Sequence, residues 1–542
     1  VRRAAVLAAV LTLLVWGLLA CDHGLFHDDA SSLAFAQRGA SRPLGALFVP
    51  EGAPTRLLQT LPYDLAWASG RPTRFLQVWY GAVWAGTALL VFALARRLAP
   101  GAGALPLVAC GLAATATSDF LTNTTEAVSY LDAALLLLAA LVAALRFTQG
   151  GRAAWMAAAA LLLNASLFTL EGLAPAALLA PLFFFSADGA PHRRRLAALV
   201  WLLALVPFGI VLAAYVRDPS SYATVALKPL SVAERLRGIA GQTATDFLPW
   251  QWVFSRPTWF ETLPRLLPAS LLAGTAAAGV AALFILVGIS PGRIRESDER
   301  RLVRAGATCL LVVLAQHAAY AGAQLADRRF RTQLVSRVFA SLLVAIAASL
   351  LARRLRRPAA ALALPAAFVG FGIAGGLERH DFFLSRWRRE RVELASLLAE
   401  VPALDARAML ILSLEPDPGG WQATRAPYLA EAWVSLLLDD AGAGSRTRVC
   451  LTGWGATCRE EAAGLRCGTE TLPWNRLVLL RFDAPLERYR LVPEIAASNG
   501  TYRPRDLIRR SPPSRRALSL VAPAAGLARL LPGGANAMLA AP

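Results

Sequence analysis

Residues 21–37 read CDHGLFHDDASSLAFAQ. Just before them, Val1-Arg2-Arg3 gives way to an apolar run over 4–20. At a helical rise of about 1.5 Å per residue, that run almost crosses the hydrocarbon of a bilayer. The tandem carboxylate Asp28-Asp29 follows at once. Acids at the mouth of a first membrane helix are costly unless they face water or a cavity, which marks this pair as a candidate site. The same residues suit the start of a helix through ASSLAFAQ, and a capping role can coexist with a chemical one.

Outward from this stretch, the composition is that of a polytopic membrane protein. The chain has 542 residues, is 56% hydrophobic and has a mean hydropathy of +0.48. The formal charge of +19 is carried almost wholly by arginine, since Lys228 is the sole lysine. These arginines stand beside hydrophobic runs, as topology determinants do, which argues against nucleic acid as a partner. Hydrophobic spans are expected near 4–21, 74–95, 104–118, 127–146, 153–170, 172–186, 196–216, 268–289, 302–325, 333–352 and 359–377. Arg2-Arg3, Arg96-Arg97, Arg146 with Arg152, Arg193-Arg194-Arg195, Arg293 with Arg295, and Arg353-Arg354 with Arg356-Arg357 fall in alternate connections. Under the positive-inside rule those connections are cytoplasmic, so the N-terminus lies inside and the region after Leu377 outside. The acids Asp28, Asp29, Asp119, Glu126, Glu171 and Asp327 then gather at outer helix ends.

Two outer connections, 22–73 and 217–267, are too long for hairpins. The first contains short helical patterns over 30–38 and 55–69, broken by Pro43, Pro50, Pro54 and Pro62. Trp67, Phe75, Trp79 and Tyr80 suggest an interfacial aromatic belt. The second carries Trp250, Trp252 and Trp259 and suits a lid or a headgroup anchor. After a transmembrane domain over 1–377 the composition shifts. A charged helical stretch (378–402) precedes strand-like runs at 408–414, 447–452, 477–482 and 489–492, with a helix at 428–438. This predicts a small α/β domain over 378–501. An Arg- and Pro-rich tail over 502–542 follows, poor in order-forming residues except for an amphipathic stretch at 517–531. Cys110 and Cys309 fall within spans and suit packing. Cys450, Cys458 and Cys467 cluster in the outer domain, where an oxidising compartment permits one disulfide among three pairings.

Several segments together carry a family resemblance. FHDDASSLAFAQ (26–37) resembles the first outer-loop acid motif of the GT-C superfamily of membrane glycosyltransferases. TRLLQTLPYDLAWASGRPTRFLQVWYGAVWAGTALLVFALARRL (55–98) resembles the segment that follows it, ending in a membrane helix and an Ala-Arg-Arg-Leu stop. SDFLTNTTEAVSYLDAALLLLAAL (118–141) resembles the next outer turn, where a glutamate opens a helix, and LNASLFTLEGLAPAALLAPL (163–182) the region bearing Lys-Glu before a proline-containing helix. AYAGAQLADRRFRTQLVSRVFASLL (319–343) is similar to the Ala-Asp-Arg-Tyr segment of the protein O-mannosyltransferase group. Three words depart from those patterns: Leu170-Glu171 replaces Lys-Glu, Arg329 replaces the aromatic after Asp-Arg, and VWYGAVWA (78–85) replaces an Asn/His pattern.

The resemblance implies an all-α bundle of about eleven transmembrane helices with a small C-terminal α/β extracytoplasmic domain, in a bacterial inner membrane. It implies a polyprenyl-phosphate-linked sugar as donor, inversion at the anomeric carbon, and a glycan, lipid or protein hydroxyl as acceptor. An ionised Asp can serve as the general base, and a nearby cation can stabilise the leaving lipid phosphate. Asp28 is the base candidate and Asp29 the alternative. Arg328 and Arg329, next to Asp327, suit the lipid phosphate, because guanidinium presents a donor fork to phosphate oxygens. Glu126 and Glu171 suit positioning of the acceptor, holding of an arginine, or capping of a helix start. Gln316, Tyr320 and Gln324 recur four apart beside His317, a polar stripe for interhelical bonding or a lipid groove.

No cofactor is required by this chemistry. His23 and His27, four apart beside Asp22, Asp28 and Asp29, would suit a divalent metal only on one continuous helix, and Gly24 weakens that. Leu18-Leu19-Ala20-Cys21 also resembles a bacterial lipobox, against which stands the length of the apolar run. A transporter, or a non-catalytic scaffold presenting the C-terminal domain, are the competing functional classes. Against the transporter, no halves repeat and the acids stand at helix ends rather than at mid-membrane.

Overall fold

The computed structural model describes residues 24–25, 28–39, 56, 58–100, 105–115, 128–217, 231–247, 296–320, 334–355, 365, 368–369, 387–414, 427–451, 458–497 and 499–522. The chain divides into two compact units, one of Val1–Ala20, Leu47–Gln59 and Val78–Asp381, the other of Cys21–Ala46, Thr60–Gln77 and Phe382–Pro542.

The first unit is helical. Five helical stretches are long and apolar enough to cross a membrane: Pro72–Leu98, Val128–Thr148, Pro191–Ala214, Glu299–Ala319 and Leu334–Arg354. They match expected spans. The spans expected at 4–21 and 268–289, and most of that at 359–377, lie outside the described residues. Leu105–Thr115 and Ala154–Thr169 are shorter apolar helices. The expected span at 172–186 is not one regular helix. It opens with a 3-10 turn, Glu171–Leu173, and continues as Ala174–Leu179 and Pro181–Ser186. Pro175 and Pro181 remove backbone donors, which accounts for the interruptions.

Helix Val128–Thr148 returns as Ala154–Thr169 through a short turn in which Gly150 has φ +103°, a conformation glycine adopts freely. Ala133, Ala140, Ala144 and Ala159 are fully buried there, and small residues let backbones approach. Polar cross-links replace hydrophobic driving force: Ser166 Oγ donates to the Ala133 carbonyl at 2.8 Å and Asn164 Nδ2 to the Ala204 carbonyl at 2.9 Å. Phe183 stacks on Phe339, Phe184 meets Trp201 edge-on, and Trp201 Nε1 donates to the Ala177 carbonyl. By contrast, Leu199, Leu203, Val206 and Ile210 of Pro191–Ala214 are exposed, the pattern of a face that meets lipid rather than protein.

The second unit is built on a four-stranded sheet of order β2-β1-β6-β7. Its strands are β1 (Met409–Leu414), β2 (Thr447–Leu451), β6 (Leu477–Asp483) and β7 (Arg488–Leu491). β1 runs parallel to β2 and β6, with Leu410 opposite Thr447 and Val478, and β7 runs antiparallel to β6. A parallel β1–β2 pair needs a crossover, and helix Pro427–Leu437 supplies it. β3 (Cys458–Glu461), β4 (Gly464–Cys467) and β5 (Glu470–Pro473) form an antiparallel sheet, and β8 (Ile495–Ala497) and β9 (Gly500–Tyr502) a hairpin.

Helix Asp28–Gly39 belongs to this unit. It packs on Pro427–Leu437, buries Ala30, Leu33 and Ala34, and Gln37 Nε2 donates to the Ser435 carbonyl at 3.1 Å. Leu61–Ala68 packs against it in turn, starting only after Thr60 because Pro62 belongs in a first turn. Gly24 lies against the Trp387 ring, which leaves no room for a Cβ, and Trp387 stacks on Trp433. Trp67 is a core residue under the Arg516 guanidinium, and Tyr80 of the first unit is likewise buried, so neither serves the aromatic belt expected for them. Residues 503–522, Arg- and Pro-rich as they are, place Ala517 and Leu520 in the core and pair Leu404 with Ile508.

Candidate functional site

Asp28 and Asp29 open helix Asp28–Gly39, and a helix's first turn is where its dipole favours negative charge. On a helix, successive side chains diverge by about 100°. Asp29 turns inward: it is completely buried, and Tyr63 Oη donates to its Oδ1 at 2.8 Å. Tyr63 is itself buried on helix Leu61–Ala68, so a hydroxyl from one loop helix fixes the acid that starts another. Next to Tyr63 in sequence, Asp64 accepts from Thr60 Oγ1 at 3.4 Å. Burial raises the Asp64 carboxyl above its ordinary value, against the smaller lowering effect of that hydroxyl.

Within the first unit Glu171 begins the 3-10 turn after helix Ala154–Thr169 and takes Arg56 in a bidentate pair. Arg56 Nε lies 3.0 and 2.8 Å from the two carboxylate oxygens and Nη2 2.5 Å from Oε1. Leu58 N donates to the Phe168 carbonyl at 3.0 Å, tying the same segment to the end of that helix. In this geometry the Glu171 carboxylate holds an arginine. A planar fork on a carboxylate fixes both partners in orientation as well as distance. Glu126, Asp327, Arg328 and Arg329 lie outside the described residues, as do His23, His27 and the Asp28 side chain.

A third cluster is one that sequence reasoning mostly missed. Asp246 ends the amphipathic helix Val232–Phe247, in the long connection after Arg217, and it is fully buried. Its Oδ1 accepts from Arg337 Nε at 2.8 Å, and its Oδ2 meets His317 Nε2 at 2.8 Å. Arg337 and His317 are equally buried, on helices Leu334–Arg354 and Glu296–Tyr320. Two polar side chains from two other helices thus close on one carboxylate. Ser231 and Glu234 cap the other end of Val232–Phe247 reciprocally. The signals were present: a lone arginine inside an apolar span, and His317 in the polar stripe. Only Asp246, in a loop rich in polar residues, carried no local mark. Gln316, beside His317, is buried with neither amide atom paired among the described residues.

Asp132 is a further buried acid, in helix Val128–Thr148, held by Trp79 Nε1 at 2.9 and 3.1 Å. Trp79 therefore serves as a donor to a neighbouring helix rather than as a belt residue. Ionisable groups in spans are expected to be partnered in this way. In the second unit the Cys450, Cys458 and Cys467 sulfurs lie within 4.8 Å of one another, with Cys458 at bonding distance from both of the others. A sulfur forms one disulfide, so a single bond through Cys458 satisfies the cluster. Cys110 and Cys309 are buried free thiols, as their positions in spans implied.

No family model matches the chain, and no curated protein matches it. Two solved structures are similar to it along most of its length. ArnT from Cupriavidus metallidurans bound to undecaprenyl phosphate is 15% identical, with 83% of this chain and 86% of that chain covered at a TM-score of 0.38. ArnT from Cupriavidus metallidurans in the apo state is 14% identical over the same shares, at a TM-score of 0.36.

Proposed function

We propose that this chain is a membrane glycosyltransferase of GT-C type that moves a sugar from a polyprenyl-phosphate donor to an acceptor hydroxyl on the outer face of a bacterial inner membrane. The bundle has about eleven spans, the N-terminus is cytoplasmic and the C-terminal domain periplasmic. The observation that carries the reading is the tandem acid after the first apolar run, with one carboxylate anchored. Asp29 is buried and accepts from Tyr63, which ties the first turn of its helix to helix Leu61–Ala68. That supports Asp28 as the base: its neighbour holds the turn rigid, and preorganised placement is what general-base catalysis needs.

In this mechanism Asp28 takes the proton of the acceptor hydroxyl as its oxygen attacks the anomeric carbon from the face opposite the lipid phosphate. The C–O bond to phosphate breaks, the configuration inverts, and the polyprenyl phosphate leaves with the bonding electrons. Arg328 and Arg329 stabilise that phosphate, with Asp327 orienting them. Glu126 positions the acceptor, and Glu171 holds Arg56 as a further oriented cation. The test is transfer by the purified protein in lipid nanodiscs, with polyprenyl-phosphate sugars as donors. Asp28→Asn keeps size and much of the hydrogen bonding but removes the basic charge, and transfer should fall at least about a hundredfold while donor binding persists. Wild-type turnover in Asp28→Asn, Asp29→Asn and the double variant together would overturn the base mechanism and favour a scaffold.

A further inference from the structure

At the C-terminal ends of helices Pro72–Leu98 and Val128–Thr148 lies a cavity of about 430 Å³ whose lining includes none of the residues assigned to sugar transfer. Arg96, Arg97 and Arg146 line it, with Gln149 and Asp188. Gln149 fixes Arg97: its Oε1 accepts from Arg97 Nη1 at 2.7 Å and its Nε2 donates to the Arg97 carbonyl at 3.0 Å. This arrangement orients one guanidinium and leaves its charge unneutralised. Among the described residues the one acid in the lining is Asp188, and it pairs at 2.5 Å with Arg301, which is not among the lining residues. Among the described residues no carboxylate pairs with Arg96, Arg97 or Arg146. Three like charges around one space repel, and an anion in that space would reverse the sign of the interaction.

Two features select the anion. Guanidinium forks match phosphate oxygens, and several converging forks suit a phosphate better than a single carboxylate. The remaining wall is apolar, with Phe92, Ala93 and Pro100, and the volume well exceeds one phosphate group. The cavity also sits where two apolar helices of membrane-crossing length end, the level at which lipid head groups stand. We propose that this cavity binds the phosphate of a net-anionic phospholipid, with Arg96, Arg97 and Arg146 on the phosphate oxygens and the glycerol backbone against Phe92 and Pro100. The site rests on these helices crossing the bilayer and is separate from the transfer chemistry.

Native mass spectrometry of the full-length protein, exchanged into phosphatidylglycerol or phosphatidylcholine, tests the proposal. Phosphatidylglycerol should be retained at least about tenfold better, each arginine near an anionic head group being worth about fivefold. The triple variant Arg96→Gln, Arg97→Gln, Arg146→Gln should lose that preference, while Arg353→Gln with Arg354→Gln, at another basic cluster, should keep it. Arg146→Gln alone, a milder change, should lose about fivefold. Equal retention of the two lipids by the wild-type protein would overturn the proposal whatever the variants do. Displacement of phosphatidylglycerol by an equal concentration of inorganic phosphate would overturn the lipid as source and assign the arginines to a soluble phosphate.

Discussion

Replacing Asp246 by asparagine tests whether the buried cluster holds the connection after Arg217 onto the bundle. The substitution is nearly isosteric, so its effect is electrostatic. Arg337 stays charged at any accessible pH and has no exposed surface, so loss of the carboxylate leaves a buried cation uncompensated at that contact. Breaking a buried pair from one side costs about 3–5 kcal/mol. The lower end is expected here for a geometric reason. The asparagine oxygen can still accept from Arg337 Nε, and its amide can face His317 Nε2 if the imidazole carries its proton on Nδ1. The first seven residues from Ser231 are exposed, whereas Gln242 and Asp246 are buried, so the helix is gripped at its C-terminal end. Its release should therefore precede global unfolding. Two readouts follow: tryptic cleavage after Arg235 and Arg237, read by mass spectrometry, should accelerate, and thiol-dye labelling of buried Cys309 should begin at lower temperature. Asp246→Leu with Arg337→Met removes both charges and should recover most of the loss. Wild-type protease resistance and melting in Asp246→Asn would refute the reasoning.

Tyr63→Phe removes one donor from a fully buried carboxylate and should cost about 1–3 kcal/mol, measured by thermal melting of the purified protein, with Asp29→Asn partly relieving it. Asp64 gives a pH signature. Its carboxyl is raised above 3.8 by burial, so its contribution to stability is full below 3.8 and is lost as pH rises through the folded value. Melting of Asp64→Asn against pH should lack that decline; a parallel decline in both proteins would remove the assignment. For the outer cysteines, non-reducing peptide mapping should find one disulfide through Cys458 and one free thiol, Cys450 or Cys467. Three alkylatable thiols without reductant would contradict it.

The parts of this fold that were legible in the sequence are those in which one physical signal dominates. Long apolar runs returned as helices at their expected places, because a segment that long cannot satisfy its backbone in lipid any other way. The central strands β1 and β6 were legible because parallel, buried strands read as near-continuous Leu, Ile and Val, as in Met409–Leu414. β3, β4 and β5 were not, since CREE, GLRC and ETLP are mostly exposed and carry no alternation to detect. The break inside 172–186 was written in Pro175 and Pro181 but outweighed by hydropathy.

The site divides along similar lines. A charged residue is conspicuous in sequence only against an apolar background, which is why Asp28-Asp29 after the first run and Glu171 between two apolar helices could be singled out. Their partners could not. Tyr63 and Arg56 lie in a polar, proline-broken loop whose path no local pattern dictates, and each finds its acid across long sequence separation, 34 residues for Tyr63 and 115 for Arg56. The same holds for Asp246, which is 71 residues from His317 and 91 from Arg337. A carboxylate buried this deeply is tolerable only because the fold delivers both donors, so its identity as a functional or anchoring residue is a property of tertiary structure. Periodicity can identify the helix that carries Asp246, and the capping pair Ser231 and Glu234 can fix where that helix begins. Where it ends up is decided by the lone arginine it meets.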